Sequence, residues 1–423
     1  MSSRIRGAIA QVRGSKFARD SAMLVAFTLL GRAIAFVGSA YAARSLGPYK
    51  LGVSALVLAT VAQVNLGYNG GFDTIAVRKI TTDRSSAGDV TAAVVAFRLG
   101  AAVLASLVWV VLVLTLPGMQ HRSAWLMGAL LVLLSSLGIG FLFSGLERLP
   151  VQTAIGTGGA VLTAALYFLY FRPGMYLGAD LVVGAGVALV TTAFSWMACR
   201  RLLGHWPLRR VRLQQVRALL GEGWRYWIAA IVGYLYSAFQ LPLVAYTLGA
   251  HDAGLFRTAV TMAAAVELLF ASINSLLVPR LIAWKAMGLD VLRRRQTILL
   301  GVSLAVGIPP VALLIFAAPA IFRTMLGAEF AGAIPIFQVL VLGRLIVFCM
   351  QMYPFSLVAL GLDTSLLAVS ITSAVLSVSL TILMAGKYGI LGVSLVTVLV
   401  ELFVGLACFV LMRAAMARMD GRR

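Results

Sequence analysis

The chain has 423 residues and a mass of 44.9 kDa, and 61% of its residues are hydrophobic while only 12% are charged. This composition excludes a soluble enzyme domain and a disulfide-linked secreted scaffold, because too little polar surface remains for either. It also excludes a β-barrel, since the sequence has long apolar runs where barrel strands would alternate apolar and polar residues. We expect an all-α polytopic membrane protein.

Twelve apolar segments follow one another along the chain, each near the roughly 20 residues that an α-helix needs to cross a membrane. They predict twelve transmembrane helices. A basic connection separates the first six from the last six, so we predict an N-terminal lobe at 1–199, a linker at 200–223 and a C-terminal lobe at 224–423. The segments are approximately 20–43, 51–71, 92–116, 124–145, 151–171, 177–199, 224–247, 254–278, 297–321, 332–356, 363–385 and 388–412.

The net charge of +21 is distributed unevenly between the connections. Alternate connections hold 25 basic residues on one side of the membrane and 7 on the other. The positive-inside rule therefore predicts a multi-pass membrane protein with both termini in the cytoplasm. The same distribution explains the charge without a nucleic-acid partner. The basic linker at 200–223 either only sets this topology, which we favour, or also attracts anionic lipid headgroups.

A weak internal repeat relates the two halves. When residues 43–80 are placed over 245–282 without a gap, 9 of 38 positions are identical. Six predicted helices separate the copies, so both enter the membrane from the same face, as in transporters that bind substrate between parallel repeats. The matched pairs include Gly47 with Gly249, Gly52 with Gly254, and Arg78 with Arg280.

Five ionisable residues stand out inside the apolar segments, away from the segment ends, namely Arg32, Arg98, Arg344, Glu267 and Glu401. A charge in a membrane core is unfavourable, so each of them marks a candidate functional site. They could instead pair within the protein, for example Arg32 with Glu401 or Arg344 with Glu267. Three arginines against two glutamates still leave one positive charge, which favours an anionic ligand such as a phosphate.

Polar residues at helical spacing extend several of these positions into faces that we expect to line a cavity. Amide side chains there would contact the polar part of a substrate. Two tyrosines in the seventh segment could stack on sugar rings. The residues predicted to contact substrate in this way are Asn65, Asn69, Asn274, Gln351, Tyr234 and Tyr236.

Three stretches resemble the polysaccharide flippases of the MATE-like MOP superfamily: Leu-Leu-Gly-Arg at 29–32, Tyr-Ala-Ala-Arg-Ser-Leu-Gly-Pro at 41–48 and Gly-Phe-Asp-Thr-Ile-Ala-Val-Arg at 71–78. The most similar branch is the Wzx-type translocases, which flip undecaprenyl-diphosphate-linked oligosaccharides. The resemblance implies two six-helix lobes around a V-shaped cavity that opens alternately to cytoplasm and periplasm. It also implies that cationic cavity residues engage the diphosphate, and Arg32 lies within a matched motif.

Together, charge placement and resemblance predict a transporter of a bacterial-type inner membrane, with no cofactor beyond a coupling H+ or Na+. Its predicted partners are a polyprenyl-diphosphate-linked glycan, membrane lipids and the polysaccharide polymerase machinery. The glycan would occupy the cavity while the polyprenyl tail stays in lipid. In this hypothesis the headgroup enters past Arg78 or Arg280, Arg32, Arg98 and Arg344 hold the pyrophosphate, and Glu267 or Glu401 takes the coupling ion.

Two other functions are compatible with the composition. A MATE-type cation or drug antiporter would need acidic residues in the first lobe, where the membrane charges are instead Arg32 and Arg98. A membrane enzyme that processes polyprenyl-linked glycans would need a catalytic constellation. We find no such constellation and therefore predict a transporter that is not an enzyme.

Overall fold

The computed structural model describes residues 16–117, 119–207, 213–274 and 277–420. Within those ranges every regular element is an α-helix or a short 3₁₀-helix. A membrane favours this arrangement because each backbone N–H and C=O of a helix is satisfied inside the same segment. The all-α polytopic membrane class predicted from composition is confirmed.

We number the α-helices in chain order. The first eight are α1 Lys16–Asn69, α2 Phe72–Thr82, α3 Ala87–Thr115, α4 Arg122–Ser136, α5 Gly140–Gly145, α6 Leu149–Tyr170, α7 Ala179–Leu203 and α8 Leu213–Ser237. The remaining seven are α9 Gln240–Thr247, α10 Ala250–Asn274, α11 Leu277–Ala286, α12 Leu289–Met325, α13 Ala333–Met350, α14 Met352–Leu360 and α15 Asp363–Asp420.

Helices α1 and α15 each contain two predicted crossings. The apolar part of α1 has 42 residues and that of α15 has 56, at least twice the roughly 20 residues that one crossing requires. Each is interrupted at a glycine with positive φ, Gly47 at 75° and Gly389 at 59°. Glycine adopts this conformation without the clash of a Cβ, and Pro48 removes a helix hydrogen bond directly after the first break.

The described residues contain eight helices that are long and apolar enough to span a membrane, and the bent pair within α8 and α9 makes nine. Two of these are the double-length helices α1 and α15. Counting their halves separately, these helices cover eleven of the twelve predicted segments, and α10 lies at the remaining one, the eighth.

Short helices outside the predicted segments are the main difference from the sequence analysis. Helices α2 and α11 follow the second and eighth segments, and each carries charged residues that keep its average hydropathy low. Helix α8 begins at Leu213 inside the predicted linker, because an amphipathic, charged turn precedes its apolar part. Hydropathy alone detects apolar runs and therefore missed these elements.

The contacts divide the chain into two units. Unit 1 comprises Met1–Ala42, Gln63–Arg172 and Ala179–Trp227, and unit 2 comprises Ala43–Ala62, Pro173–Gly178 and Ile228–Arg423. These boundaries differ from the predicted lobes chiefly in placing 43–62 with unit 2. They also place the described parts of the predicted linker, 200–207 and 213–223, with unit 1.

Inside unit 2 the second half of α1 crosses α10 at backbone contact. A Cβ added to Gly52 would lie 1.6 Å from the carbonyl oxygen of Ala250, and one added to Gly254 would lie 1.9 Å from that of Pro48. Gly52 and Gly254 are equivalent in the predicted repeat, and so are Pro48 and Ala250. The contact is therefore reciprocal, and Gly249 has a positive φ like its repeat equivalent Gly47.

Candidate functional site

Arg32 lies beside a cavity in unit 1, between the first half of α1 and α6. The residue is exposed, and no described acidic residue of unit 1 forms an ion pair with it. Its guanidinium therefore remains available to an anion. The cavity has a volume of about 260 Å³ and is lined by Thr28, Gly31, Arg32, Ala35, Thr153, Gly156, Thr157 and Ala160.

Small residues let the two helices approach closely around Arg32. A Cβ on Gly31 would lie 3.0 Å from the hydroxyl oxygen of Thr157, and one on Gly38 would lie 2.9 Å from Cβ of Ala164. Both pairs are seven residues apart on their helices, so they form one continuous seam, as is usual between membrane helices.

The α6 side of this cavity was missed in the sequence analysis, although it has a recognisable signal. Threonine, glycine and alanine fall at positions i, i+3 and i+7 in Thr28, Gly31 and Ala35, and the same spacing recurs in Thr153, Gly156 and Ala160. Such spacing puts small and hydroxyl side chains on one helix face. It does not show which two helices meet.

Arg98 has a different environment from the one predicted. Its side chain is only 2% exposed, and its Nη2 lies 2.7 Å from Oδ1 of Asp73. Nη1 donates to the carbonyl oxygen of Gly138 at 3.3 Å, and the guanidinium lies 5.3 Å from the ring centre of Phe141. In this structure Arg98 thus joins α3 to α2 and to the α4–α5 connection, and it is not open to a ligand.

The predicted polar face at Asn65 and Asn69 is also partly used inside unit 1. The Tyr68 hydroxyl donates to Oδ1 of Asn65, and the Ser135 hydroxyl donates to the same oxygen at 2.9 Å. Asn65 therefore links α1 to α4. Oδ1 of Asn69 is buried and has no hydrogen-bond partner among the described residues.

In unit 2, Arg344 and Glu401 lie on the packed helices α13 and α15, and both are half-buried. A Cβ on Gly343 would lie 3.2 Å from Cγ2 of Val398, which places the two charged residues on adjoining stretches of these helices. Gln351 donates to the carbonyl oxygen of Phe348 at 3.3 Å, within its own turn.

Other predicted site residues are less defined. Tyr234 is half-buried in α8. The side chains of Glu267, Asn274 and Tyr236 lie outside the described residues. Their predicted roles, and that of Glu401 in ion coupling, stay predictions.

The two arginines predicted at the headgroup's point of access, Arg78 and Arg280, are both exposed and lie on the short helices α2 and α11. Nη2 of Arg78 lies 3.0 Å from Oε2 of Glu222, and Nζ of Lys79 lies 2.9 Å from Oε1 of the same carboxylate. The hydrogen bond from Lys79 and the nearby charge of Arg78 hold the pKa of Glu222 below its usual value. The sequence analysis identified Arg78 but neither Lys79 nor Glu222 as its partners.

Comparison with known families gives a match over most of the chain. Residues 17–284 match the sequence profile of a family described as "Polysaccharide biosynthesis protein". No curated protein sequence matches the chain.

Solved structures show a similar fold at low sequence identity. The inward-facing conformation of a multidrug resistance MATE family transporter of the MOP superfamily has a TM-score of 0.70 and 13% identity, covering 92% of this chain and 96% of that one. The lipid II flippase MurJ, in an inward closed conformation, has a TM-score of 0.71 and 13% identity, covering 92% and 87%. A MOP superfamily transporter from Pyrococcus furiosus, described as having a binding pocket of reverse polarity, has a TM-score of 0.54 and 14% identity, covering 94% and 95%.

Proposed function

The chain belongs to the polysaccharide biosynthesis protein family, and on that premise we propose that it is a flippase for a lipid-linked glycan. The substrate would be an undecaprenyl-diphosphate-linked oligosaccharide, carried from the cytoplasmic to the periplasmic leaflet by alternating access. The fold shared with MOP superfamily transporters supports a transport role. A flippase also accounts for a chain that is almost entirely membrane helix.

The observation that carries this proposal is the environment of Arg32. An exposed arginine in an apolar helix, without an acidic partner among the described residues of its own unit, is unfavourable unless a ligand or water compensates its charge. Arginine can bind two phosphate oxygens at once, which suits a diphosphate. The threonines Thr28, Thr153 and Thr157 line the same cavity.

The other proposed roles follow from the same charge logic. We assign Arg344 as a second group for the diphosphate, and the amides Asn65, Asn69, Asn274 and Gln351 with the two tyrosines as glycan contacts. We assign Arg98 to positioning α2 and α3, because its buried ion pair already compensates its charge. The coupling ion, H+ or Na+, is assigned to Glu267 or Glu401.

A cation exporter and a glycan-processing enzyme are less well supported. The cavity residues around Arg32 include no carboxylate that could bind a cation. An enzyme acting on the glycan would need paired acid and base groups within hydrogen-bond reach of the bond that breaks. The polar contacts described above are instead distributed over several helices, as a transport path requires.

We expect Arg32→Ala to reduce glycolipid translocation by about 10-fold to 100-fold, which corresponds to the roughly 1.5–3 kcal/mol typical of a hydrogen bond to a charged group. Arg32→Lys should retain part of the translocation rate, because lysine keeps the positive charge but lacks the paired N–H donors of the guanidinium. The measurement is the fraction of a fluorescent polyprenyl-diphosphate oligosaccharide that reaches the opposite leaflet of proteoliposomes.

Arg84→Ala is a suitable control, because Arg84 pairs only with the exposed Glu147 at 2.7 Å on the surface of unit 1. It should transport at the wild-type rate. Full transport by a correctly inserted Arg32→Ala protein would refute the proposed site, and export of cationic dyes instead of glycolipid would favour the antiporter.

A further inference from the structure

The Arg78–Lys79–Glu222 cluster is an oxyanion site that a carboxylate of the protein already fills. Each Glu222 oxygen binds a different cation, at 3.0 Å to Arg78 and 2.9 Å to Lys79. A phosphate group also presents two or more oxygens to adjacent donors and binds well to such a pair. Glu222 thus shows that these two cations can hold two oxygens of one anionic group.

The cluster borders an open cavity with room for a larger anion. This cavity has a volume of about 480 Å³ and is lined by Arg78, Lys79, Thr82, Asp83, Ser86 and Val90. Asp83 is the adverse charge in it. Its carboxylate accepts hydrogen bonds from the backbone N–H of Ser85 at 3.0 Å and from the Ser85 hydroxyl at 2.6 Å, which lower its pKa and keep it ionised.

Charge balance then depends on Glu222. With its carboxylate in place, the two cations are balanced by Asp83 and Glu222. Without it, the cavity has a net charge of +1 and attracts an anion. The side chains of Arg78 and Glu222 are 58% and 42% exposed, so water screens their ion pair and it contributes at most about 1 kcal/mol. A weak pair of this kind can exchange with a more highly charged ligand.

Contacts of neighbouring residues on α8, and not only its own ion pairs, hold Glu222 in position. Five residues further along α8, the indole Nε1 of Trp227 donates to the carbonyl oxygens of Leu66 and Gly67 at 3.1 Å each. These carbonyls belong to the last turn of α1, and that of Leu66 also accepts a hydrogen bond from the backbone N–H of Gly70 at 3.2 Å. A Cβ on Gly71 would lie 2.4 Å from Cβ of Tyr226, so α8 also packs closely on the glycines that follow α1.

We propose that Arg78 and Lys79 form the first docking site for the diphosphate of the lipid-linked substrate, and that Glu222 occupies this site until the substrate displaces it. The inference rests on the proposed function for the identity of the ligand. It makes Glu222 a selectivity residue, because only an anion that binds the two cations better than a carboxylate can replace it. A singly charged headgroup would gain less from the exchange than a diphosphate.

The test measures binding of inorganic pyrophosphate by calorimetry to the full chain in phosphatidylcholine nanodiscs. All proteins carry Arg32→Ala and Arg344→Ala, so that the two inner arginines do not contribute. We expect Glu222→Gln to bind about threefold to fivefold more tightly, since it removes a competitor worth at most about 1 kcal/mol while keeping the side-chain shape. Arg78→Gln/Lys79→Gln should bind no pyrophosphate.

Glu147→Gln is the matched control, because Glu147 forms an exposed ion pair with a single cation, Arg84, in the same unit. Its affinity should equal that of the Arg32→Ala/Arg344→Ala parent. Unchanged affinity in Glu222→Gln, or binding retained by Arg78→Gln/Lys79→Gln, would overturn the proposal. Loss of binding when the nanodiscs contain phosphatidylglycerol would also overturn it, by identifying a membrane lipid phosphate as the occupant.

The binding result can be separated from the proposed function. Pyrophosphate binding with the expected variant order, together with no glycolipid translocation by the wild-type protein, would leave the anion site intact and remove the flippase. Normal translocation by the wild type, with no effect of Glu222→Gln on pyrophosphate binding, would support the flippase and remove the docking site.

Discussion

Gly52→Ala should prevent most of the protein from folding. The added Cβ would lie 1.6 Å from the carbonyl oxygen of Ala250, far closer than two such atoms can approach. The obstructing atom belongs to the backbone, so a side-chain rotation cannot move it aside. Relief requires separating α1 from α10, so we expect a loss above the roughly 1–3 kcal/mol of ordinary overpacking. Gly254→Ala should behave similarly, because its Cβ would meet the Pro48 carbonyl at 1.9 Å.

The measurement is the yield of monodisperse protein after extraction, followed by its thermal unfolding midpoint. Gly301→Ala and Gly386→Ala are matched controls, since both glycines are helical and a Cβ there would meet nothing within 4 Å. Both should match or slightly exceed the wild type, because alanine favours helix over glycine. Wild-type yield and stability for Gly52→Ala would show that α1 and α10 do not cross in this way.

Asp73→Asn should destabilise the protein by about 3 kcal/mol, at the lower end of the range for breaking a buried ion pair. The change leaves the positive charge of Arg98 without its carboxylate partner, although the Arg98 side chain is only 2% exposed. The contacts described above that remain are the hydrogen bond to the Gly138 carbonyl and the contact with the Phe141 ring. Nε of Arg98 is already buried without a hydrogen-bond partner among the described residues. Water cannot easily compensate the charge that remains.

Removing Arg98 should destabilise the protein less than removing the charge of Asp73. The test is to compare the stabilities of the two variants. Arg98→Met leaves Asp73, whose side chain is 53% exposed and can be hydrated. The double variant Asp73→Asn/Arg98→Met should therefore be more stable than Asp73→Asn alone in thermal unfolding. Glu147→Gln, which breaks the exposed pair with Arg84, should change stability by less than about 1 kcal/mol. If Asp73→Asn were no worse than Arg98→Met, Arg98 would not be a buried charge.

The fold could be predicted largely because a membrane restricts the solutions. Long apolar runs leave only helices, and their number and approximate positions follow from length. The predicted gap between 43 and 51 was too wide, because α1 continues through it and bends at Gly47. Helices α2 and α11 were missed, since charged amphipathic helices have no signal in average hydropathy.

The candidate site was predicted in part for the same reason. Charges in apolar runs are conspicuous, so Arg32, Arg98 and Arg344 could be identified without a structure. Which of them is accessible could not, because the partner of Arg98 lies on another helix, 25 positions away at Asp73. The ion pair of Glu222 with Arg78 joins residues 144 positions apart, beyond any local pattern.

The reciprocal contact of Gly52 and Gly254 also limits how this chain can vary. In an ordinary core a larger side chain on one helix can be accommodated by a smaller one on its neighbour, and the two positions then covary. Here the obstructing groups are the carbonyls of Ala250 and Pro48, which every amino acid carries. No exchange at a second site can compensate, so among relatives we expect each glycine to be invariant on its own and to show no covariation with any partner.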